Sequence, residues 1–166
     1  MVNIRQFEEE DWTDIWPIIE NVFRKGETYP HAPDTTEEEA RHTWIDIPTA
    51  TYVVLDKKKI AGTYYVKPNQ PGLGAHVCNC GYMVTENAYG RGIGSAMCIH
   101  SQIEAKKLGF KAMQFNLVVS TNERSFRLWK RHGFKTIGVL PKAFNHQRLG
   151  YVDALVMYKQ LDQSGT

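Results

Sequence analysis

The chain is short of cysteine, of any excess of charge and of long apolar runs. Only three cysteines occur among 166 residues, Cys78, Cys80 and Cys98. An odd number without a secretory leader argues against a disulfide-stapled scaffold and for reduced thiols. Cys78 and Cys80, two apart on an expected strand, are held too far apart to bond to each other. Lysine and arginine number 20 against 18 aspartate and glutamate, and the basic residues are scattered, so the footprint of a nucleic-acid binder is missing. No window approaches the ~20 apolar residues of a bilayer span, and MVNIRQFEEEDW has no basic region followed by an apolar stretch. These absences lead to the expectation of a cytoplasmic protein with neither membrane nor nucleic acid as partner. Repeats, linkers and low-complexity segments are also missing, so residues 1–166 are expected to form a single domain. A chain of that length can bury about 70% of its unfolded surface around one core.

What is there is ordered punctuation. Trp12, Ile15, Ile18, Ile19, Val22 and Phe23 recur at spacings of three and four, which predicts an amphipathic helix over residues 8–24. Gly26, Pro30 and Pro33 then interrupt any helix. Thr35 or Thr36, followed three residues later by glutamate, supplies a capping box for a second helix that ends before Pro48. Residues 50–56 and 59–67 are rich in β-branched and aromatic side chains and read as a hairpin. Residues 75–84 read as a central strand, 92–108 as a helix closed by Gly109, and 111–119 as the next strand. A helix over 122–132 and two β segments, 134–140 and about 150–160, complete an α/β pattern with a strand, turn, helix, strand crossover.

The turn of that crossover, YGRGIG from Tyr89 to Gly94, carries the chemistry. Gly90, Gly92 and Gly94 remove side chains where a helix begins, so backbone N–H groups and the positive end of the helix dipole can face one anion. Arg91 can add a charge-assisted contact to phosphate. The Walker pattern GxxxxGK[ST] is absent. A dinucleotide fingerprint would need glycine or alanine at Ser95 and an acidic residue near Gln114, Phe115 and Asn116, and neither is present.

With those two alternatives disfavoured, the turn resembles the [QR]xxGx[GA] motif of the GNAT superfamily of N-acetyltransferases, with Tyr89 in the first position and Gly92 and Gly94 in register. TNERSFRLWKRHGF, residues 121–134, is similar to the family's NxxSxxLYxKxGF segment, with Asn122, Ser125, Leu128, Arg131, Gly133 and Phe134 in place. The resemblance implies a GNAT-like mixed, central β-sheet flanked by helices, acetyl-CoA as co-substrate and an amine as acceptor. It also implies a cofactor site made of Met83, Val84, Gly90, Arg91, Gly92, Ile93, Gly94, Ser95 and Asn122. Met83 and Val84 would lend backbone N–H groups to the thioester, and Asn122 its side chain to the pantetheine amides. An asparagine opening a helix is explained equally by N-capping. Where the family often has a tyrosine to protonate the departing thiolate, Trp129 stands, so no general acid is assigned.

Asn79 and Asn116 lie mid-strand in apolar runs, and a buried amide needs partners. KIAGTYYVKPNQPGLGAHVCNCGYMV and FNLVVSTN are similar to the fungal acetyltransferases that act on the proline analogue azetidine-2-carboxylate. That similarity implies an amino acid or analogue as the small-molecule partner, held by Asn79 and Asn116. Glu27, Tyr29 and His31, on a loop among prolines, are further candidates for the acceptor wall, with Glu27 placed to attract a cationic amine. Asn79, Asn116 and His76 are the candidates for a catalytic part. His76, Cys78 and Cys80 share a strand face, but a straight strand spreads them and no fourth ligand is evident, so no metal is expected. His100 and His132 read as surface residues. A lysine or N-terminal protein acetyltransferase and a CoA-binding module without turnover stay open as alternatives, as does a homodimer.

Overall fold

The apolar stripe of the first helix, α1 (Trp12–Lys25), buries Ile15, Ile18, Ile19 and Phe23, and Gly26 stops it in the left-handed conformation at φ 60°. The helix begins four residues later than its spacing suggests, because Glu9–Asp11 form a tighter 3-10 turn. The next helix, α2 (Glu37–Arg41), has the predicted capping box. Thr36 Oγ1 accepts from Glu39 N at 3.2 Å, and Glu39 Oε2 accepts from Thr36 N at 2.8 Å. Thr36→Ala should therefore lower unfolding free energy by about 1 kcal/mol, read as a lower urea midpoint at unchanged slope. One π-helical turn, His42–Asp46, carries Trp44 into the core.

In this computed structural model, which describes residues 2–161, seven strands make one sheet. They are β1 (Val2–Gln6), β2 (Ala50–Asp56), β3 (Lys59–Pro68), β4 (Val77–Val84), β5 (Ala112–Val119), β6 (Lys135–His146) and β7 (Gly150–Gln160), in the spatial order β1-β2-β3-β4-β5-β7-β6. Two more helices, α3 (Ile93–Lys107) and α4 (Glu123–Arg131), complete the α/β architecture. One core, with Trp44, Val53, Tyr65 and Met83, lies under α1 and α2. The other, with Val54, Tyr64, Met97, Phe115 and Trp129, lies on the opposite face of the sheet against α3 and α4. The sheet is thus mixed, central and covered by helices on both sides, as the motifs imply.

Two strands differ from the sequence reading. β1 was not anticipated, because five residues with two half-buried apolar side chains at a sheet edge leave little periodic signal. β6 runs on past residue 140 through Pro141 to His146, with a register shift between Leu140 and Phe144. A proline is tolerated there because β6 is the other edge strand and bulged.

The feature that makes the site is a seam. β4 pairs with β3 over seven registered positions, from Gly62 opposite Val84 to Pro68 opposite Cys78. Against β5 it is registered only at Val77 with Ala112 and Cys78 with Met113. Beyond Cys78 the two parallel strands diverge.

Candidate active site

The divergence opens a cleft of about 930 Å³ between β4 and β5. The glycine turn stands at its mouth. Gly90 and Gly92 have φ of 76° and 78°, and Gly92 is the N-cap of α3. A Cβ at either position would meet nothing within 4 Å, so the backbone conformation, not crowding inside the protein, reserves both for glycine. At Gly94 a Cβ would come within 3.0 Å of Leu128 Cδ2, so this glycine sets how closely α3 approaches α4. The first intrahelical bond of α3 runs from Ala96 N to Gly92 O, which leaves the N–H groups of Ile93, Gly94 and Ser95 at the helix end. Met83, Val84, Gly90, Gly92, Ile93, Gly94, Ser95 and Asn122 all line the cleft. Asn122 caps α4, its side chain accepting from Ser125 N at 3.3 Å.

Arg91 departs from the predicted set. It pairs with Asp56 at 2.5 Å and does not line the cleft, because the side chain turns toward the end of β2. Positive charge comes instead from α4, whose Arg124, Arg127 and Arg131 do line it, Arg127 being paired with Glu123 one turn earlier at 2.9 Å. The Arg124 guanidinium lies 4.3 Å from the centre of the Tyr89 ring. The unusual first residue of the motif is therefore one half of a cation–π contact beside the phosphate-binding turn. A basic residue on a solvated helix face gives no sequence signal for this.

The inner half of the cleft is polar and aromatic. Asn79 is buried, donating from Nδ2 to Gln114 O at 2.9 Å and accepting from Tyr65 Oη at 3.3 Å. That leaves one amide N–H of Asn79 uncommitted. Asn116 lines the same cleft but is exposed, donating to Asn69 Oδ1 at 2.6 Å and accepting from Gln114 Nε2 at 3.0 Å. The sequence placed it mid-strand and buried. The register shift between Phe115 and Val118 brings it out instead. Tyr29 enters from the loop after α1, its hydroxyl donating to Tyr82 O at 2.9 Å and accepting from Tyr82 N at 2.8 Å. Burial raises its pKa, so the phenol is neutral. His31 lines the cleft too, stacked on Phe23 with ring centroids 4.4 Å apart. Its Nδ1 is buried with no hydrogen-bond partner, and burial first, then the charge of Lys67, lowers its pKa.

Two other candidates are elsewhere. Glu27 is held by Arg148 Nε at 2.7 Å and is not a cleft residue. His76 is exposed and precedes β4, at the strand end opposite the glycine turn. Its backbone O accepts from Lys111 N at 2.8 Å, and its ring does not line the cleft.

Trp129 is buried, with ring centroids 4.8 Å from both Tyr82 and Phe115, which is a packing role at the cleft wall. The two helical histidines are not the surface residues their positions suggest. Tyr64 Oη lies 2.6 Å from His100 Nδ1, and Ser95 Oγ lies 2.6 Å from His132 Nε2, and burial depresses both imidazoles. All three cysteines are free and buried, and burial pushes the Cys98 thiol up to about 11 and that of Cys80 well above its usual value. Neither supplies a thiolate near neutral pH. Among the described residues no group of three or more His, Cys, Asp or Glu could hold a metal ion. No helix among them is long and apolar enough to cross a membrane.

A strand, a glycine turn with left-handed backbone, a helix N-terminus and a splayed parallel pair define a class of acyl-transferring enzymes, and the model of the acetyltransferase (GNAT) family matches residues 4–134. The chain belongs to that family and is an acyltransferase. It is 31% identical over 167 aligned residues to N-acetyltransferase aca1 of Schizosaccharomyces pombe, covering 89% of this chain and 79% of that protein. A GCN5-related N-acetyltransferase from Kribbella flavida superposes with a TM-score of 0.91 at 39% identity, covering 96% of this chain and 97% of that one. The fold also matches yncA of Salmonella typhimurium, a structure solved with its cofactor acetyl-CoA, with a TM-score of 0.86 at 19% identity. That match covers 99% of this chain and 96% of the other. The acyl donor of the family is acetyl-CoA.

Proposed function

We propose that the chain transfers the acetyl group of acetyl-CoA to the amine of a small molecule, an amino acid or amino-acid analogue. The observation that carries this reading is the meeting of Asn79, Asn116 and Tyr29 in the same cleft as the glycine turn. The fit to acetyl-CoA rests on that turn. Its left-handed glycines, the helix-end N–H groups of Ile93, Gly94 and Ser95, and Arg124, Arg127 and Arg131 suit a pyrophosphate. When bound, acetyl-CoA supplies an activated thioester carbonyl. Of the two β4 candidates, Val84 turns its backbone N–H away from β3 and would donate to that carbonyl, whereas Met83, two residues before Thr85 and opposite Thr63, turns its N–H into the β3 pairing. Asn122 would meet the pantetheine amides.

The chain's own part in the chemistry is to hold a neutral amine against that carbonyl and to stabilise the oxyanion that forms there. The four side chains Tyr29, His31, Asn79 and Asn116 carry no fixed negative charge, so they do not hold the amine as an ammonium ion. Free, buried thiols support a reducing, cytoplasmic setting.

Release of free thiol from acetyl-CoA, followed across a panel of amines, amino acids and peptides, tests the reading. Acceptor-dependent release with amino acids is the expected result. Release with peptides alone would convert the protein into a protein acetyltransferase. Asn116→Ala should raise the acceptor KM about tenfold, the size of one lost hydrogen bond, while leaving the acetyl-CoA KM within twofold. An equal rise in both would remove Asn116 from the acceptor side.

A further inference from the structure

On one face of β3 and β4, Lys67 and Asn79 stand directly opposite each other in an antiparallel register, as do Tyr65 and Gly81. Directly opposed side chains lie on the same side of the sheet with Cβ atoms about 5 Å apart. The Lys67 ammonium extends over the Tyr65 ring, 5.2 Å from its centre, and the Tyr65 hydroxyl in turn bonds to Asn79. No described carboxylate pairs with Lys67, although it is half-buried at the cleft. Lys67 thus brings a cation to the polar end of the cleft without an internal counter-ion.

His31 lines the same cleft. A charged imidazolium would leave the N–H at its buried, unpartnered Nδ1 unsatisfied, beside the positive charge of Lys67. The neutral tautomer that avoids this cost keeps Nδ1 as a bare acceptor and carries its proton on Nε2. His31 then offers a neutral N–H donor. A cation, a neutral N–H and the uncommitted Asn79 amide all favour an anionic oxygen ligand.

We propose that Lys67 and His31, beside Asn79, form a carboxylate-binding subsite, so that the acceptor is recognised as an amino-acid or imino-acid anion through its free carboxylate. The proposal rests on the amino-acid reading above and narrows it. Amines that lack a carboxylate, such as polyamines and residues linked within a peptide, leave Lys67 without a counter-ion. They are disfavoured for that reason and not by size.

The test uses the full chain at saturating acetyl-CoA, with the best amino-acid acceptor of the panel and that amino acid's own carboxamide as paired probes. The expected result is a kcat/KM about 10- to 100-fold higher for the acid, the range of a charge-assisted contact. Lys67→Met should erase most of that preference by raising the KM of the acid, with little change for the carboxamide or for acetyl-CoA. Lys67→Arg should restore part of it. His31→Phe, which keeps the ring stacked on Phe23, should reduce the preference in the same direction by a smaller factor. Equal use of acid and carboxamide by the unaltered enzyme would overturn the subsite while leaving the amino-acid reading intact. So would an equal loss for both probes in Lys67→Met. If amines are acetylated but no amino acid is, the amino-acid reading itself falls and the subsite falls with it.

Discussion

Gly92→Asp should abolish measurable acetyl-CoA binding while leaving a folded protein. Two costs act at this residue. The first is conformational: a φ of 78° with an added Cβ costs about 1–2 kcal/mol, a fall in Tm of a few degrees for a chain of this size. The space around the position is open, so no steric clash within the protein is added. The second is electrostatic. A carboxylate about 5 Å from one phosphate charge, at an effective dielectric of about 20, opposes binding by about 3 kcal/mol, more than 100-fold in Kd. Gly92→Asn separates the two, because asparagine has the same shape, tolerates the left-handed region and carries no charge. Isothermal titration should show Gly92→Asn weakened and Gly92→Asp without detectable binding. Unchanged affinity in Gly92→Asp would remove the turn from the phosphate site.

Trp129→Ala should lower unfolding free energy by about 3–5 kcal/mol, because it empties a buried ring position between Tyr82 and Phe115. Trp129→Tyr is the informative partner. It keeps an aromatic at the wall and introduces the tyrosine of the motif that this segment resembles. The leaving group of acetyl transfer is an alkyl thiolate, a good enough leaving group to depart before it takes up a proton from water. Turnover in Trp129→Tyr should therefore stay within about threefold, with stability lowered by about 1 kcal/mol for the smaller ring. A rise of tenfold or more would show that chemistry in this enzyme waits for a proton.

How much was legible in the sequence depended on whether a signal was local. The turn at Gly90 and Gly92, the cap at Asn122 and the capping box at Thr36 were readable because each is a short-range backbone requirement met by a few residue types. The divergence of β4 and β5 was not, since both strands keep a normal pattern while their pairing stops after Cys78. Arg91 and Glu27 were read as ligand contacts from their charge, yet each has an internal partner distant in sequence, Asp56 and Arg148. Lys67 had the converse problem, for it was not singled out at all, and His31 was one candidate for the acceptor wall among three on its loop. Only cross-strand register and burial bring the two to one cleft. Asn116 lines the cleft, but a bulge exposes the amide that was expected to be buried.

The seam between β4 and β5 also bears on how such a protein can drift. Main-chain donors and acceptors at a place where a sheet parts are supplied by every residue type except proline at its N–H. A ligand gripped there tolerates turnover of the side chains around it, provided the glycines keep their left-handed turn. Tyr89, with Arg124 laid against its ring from another helix, stands where the motif that this turn resembles has glutamine or arginine. The proposed acceptor end has no comparable backbone reserve, since its candidate side chains come from four places, the loop after α1, β3, β4 and β5. Mutational change should therefore alter which amine is acetylated sooner than it alters the use of acetyl-CoA.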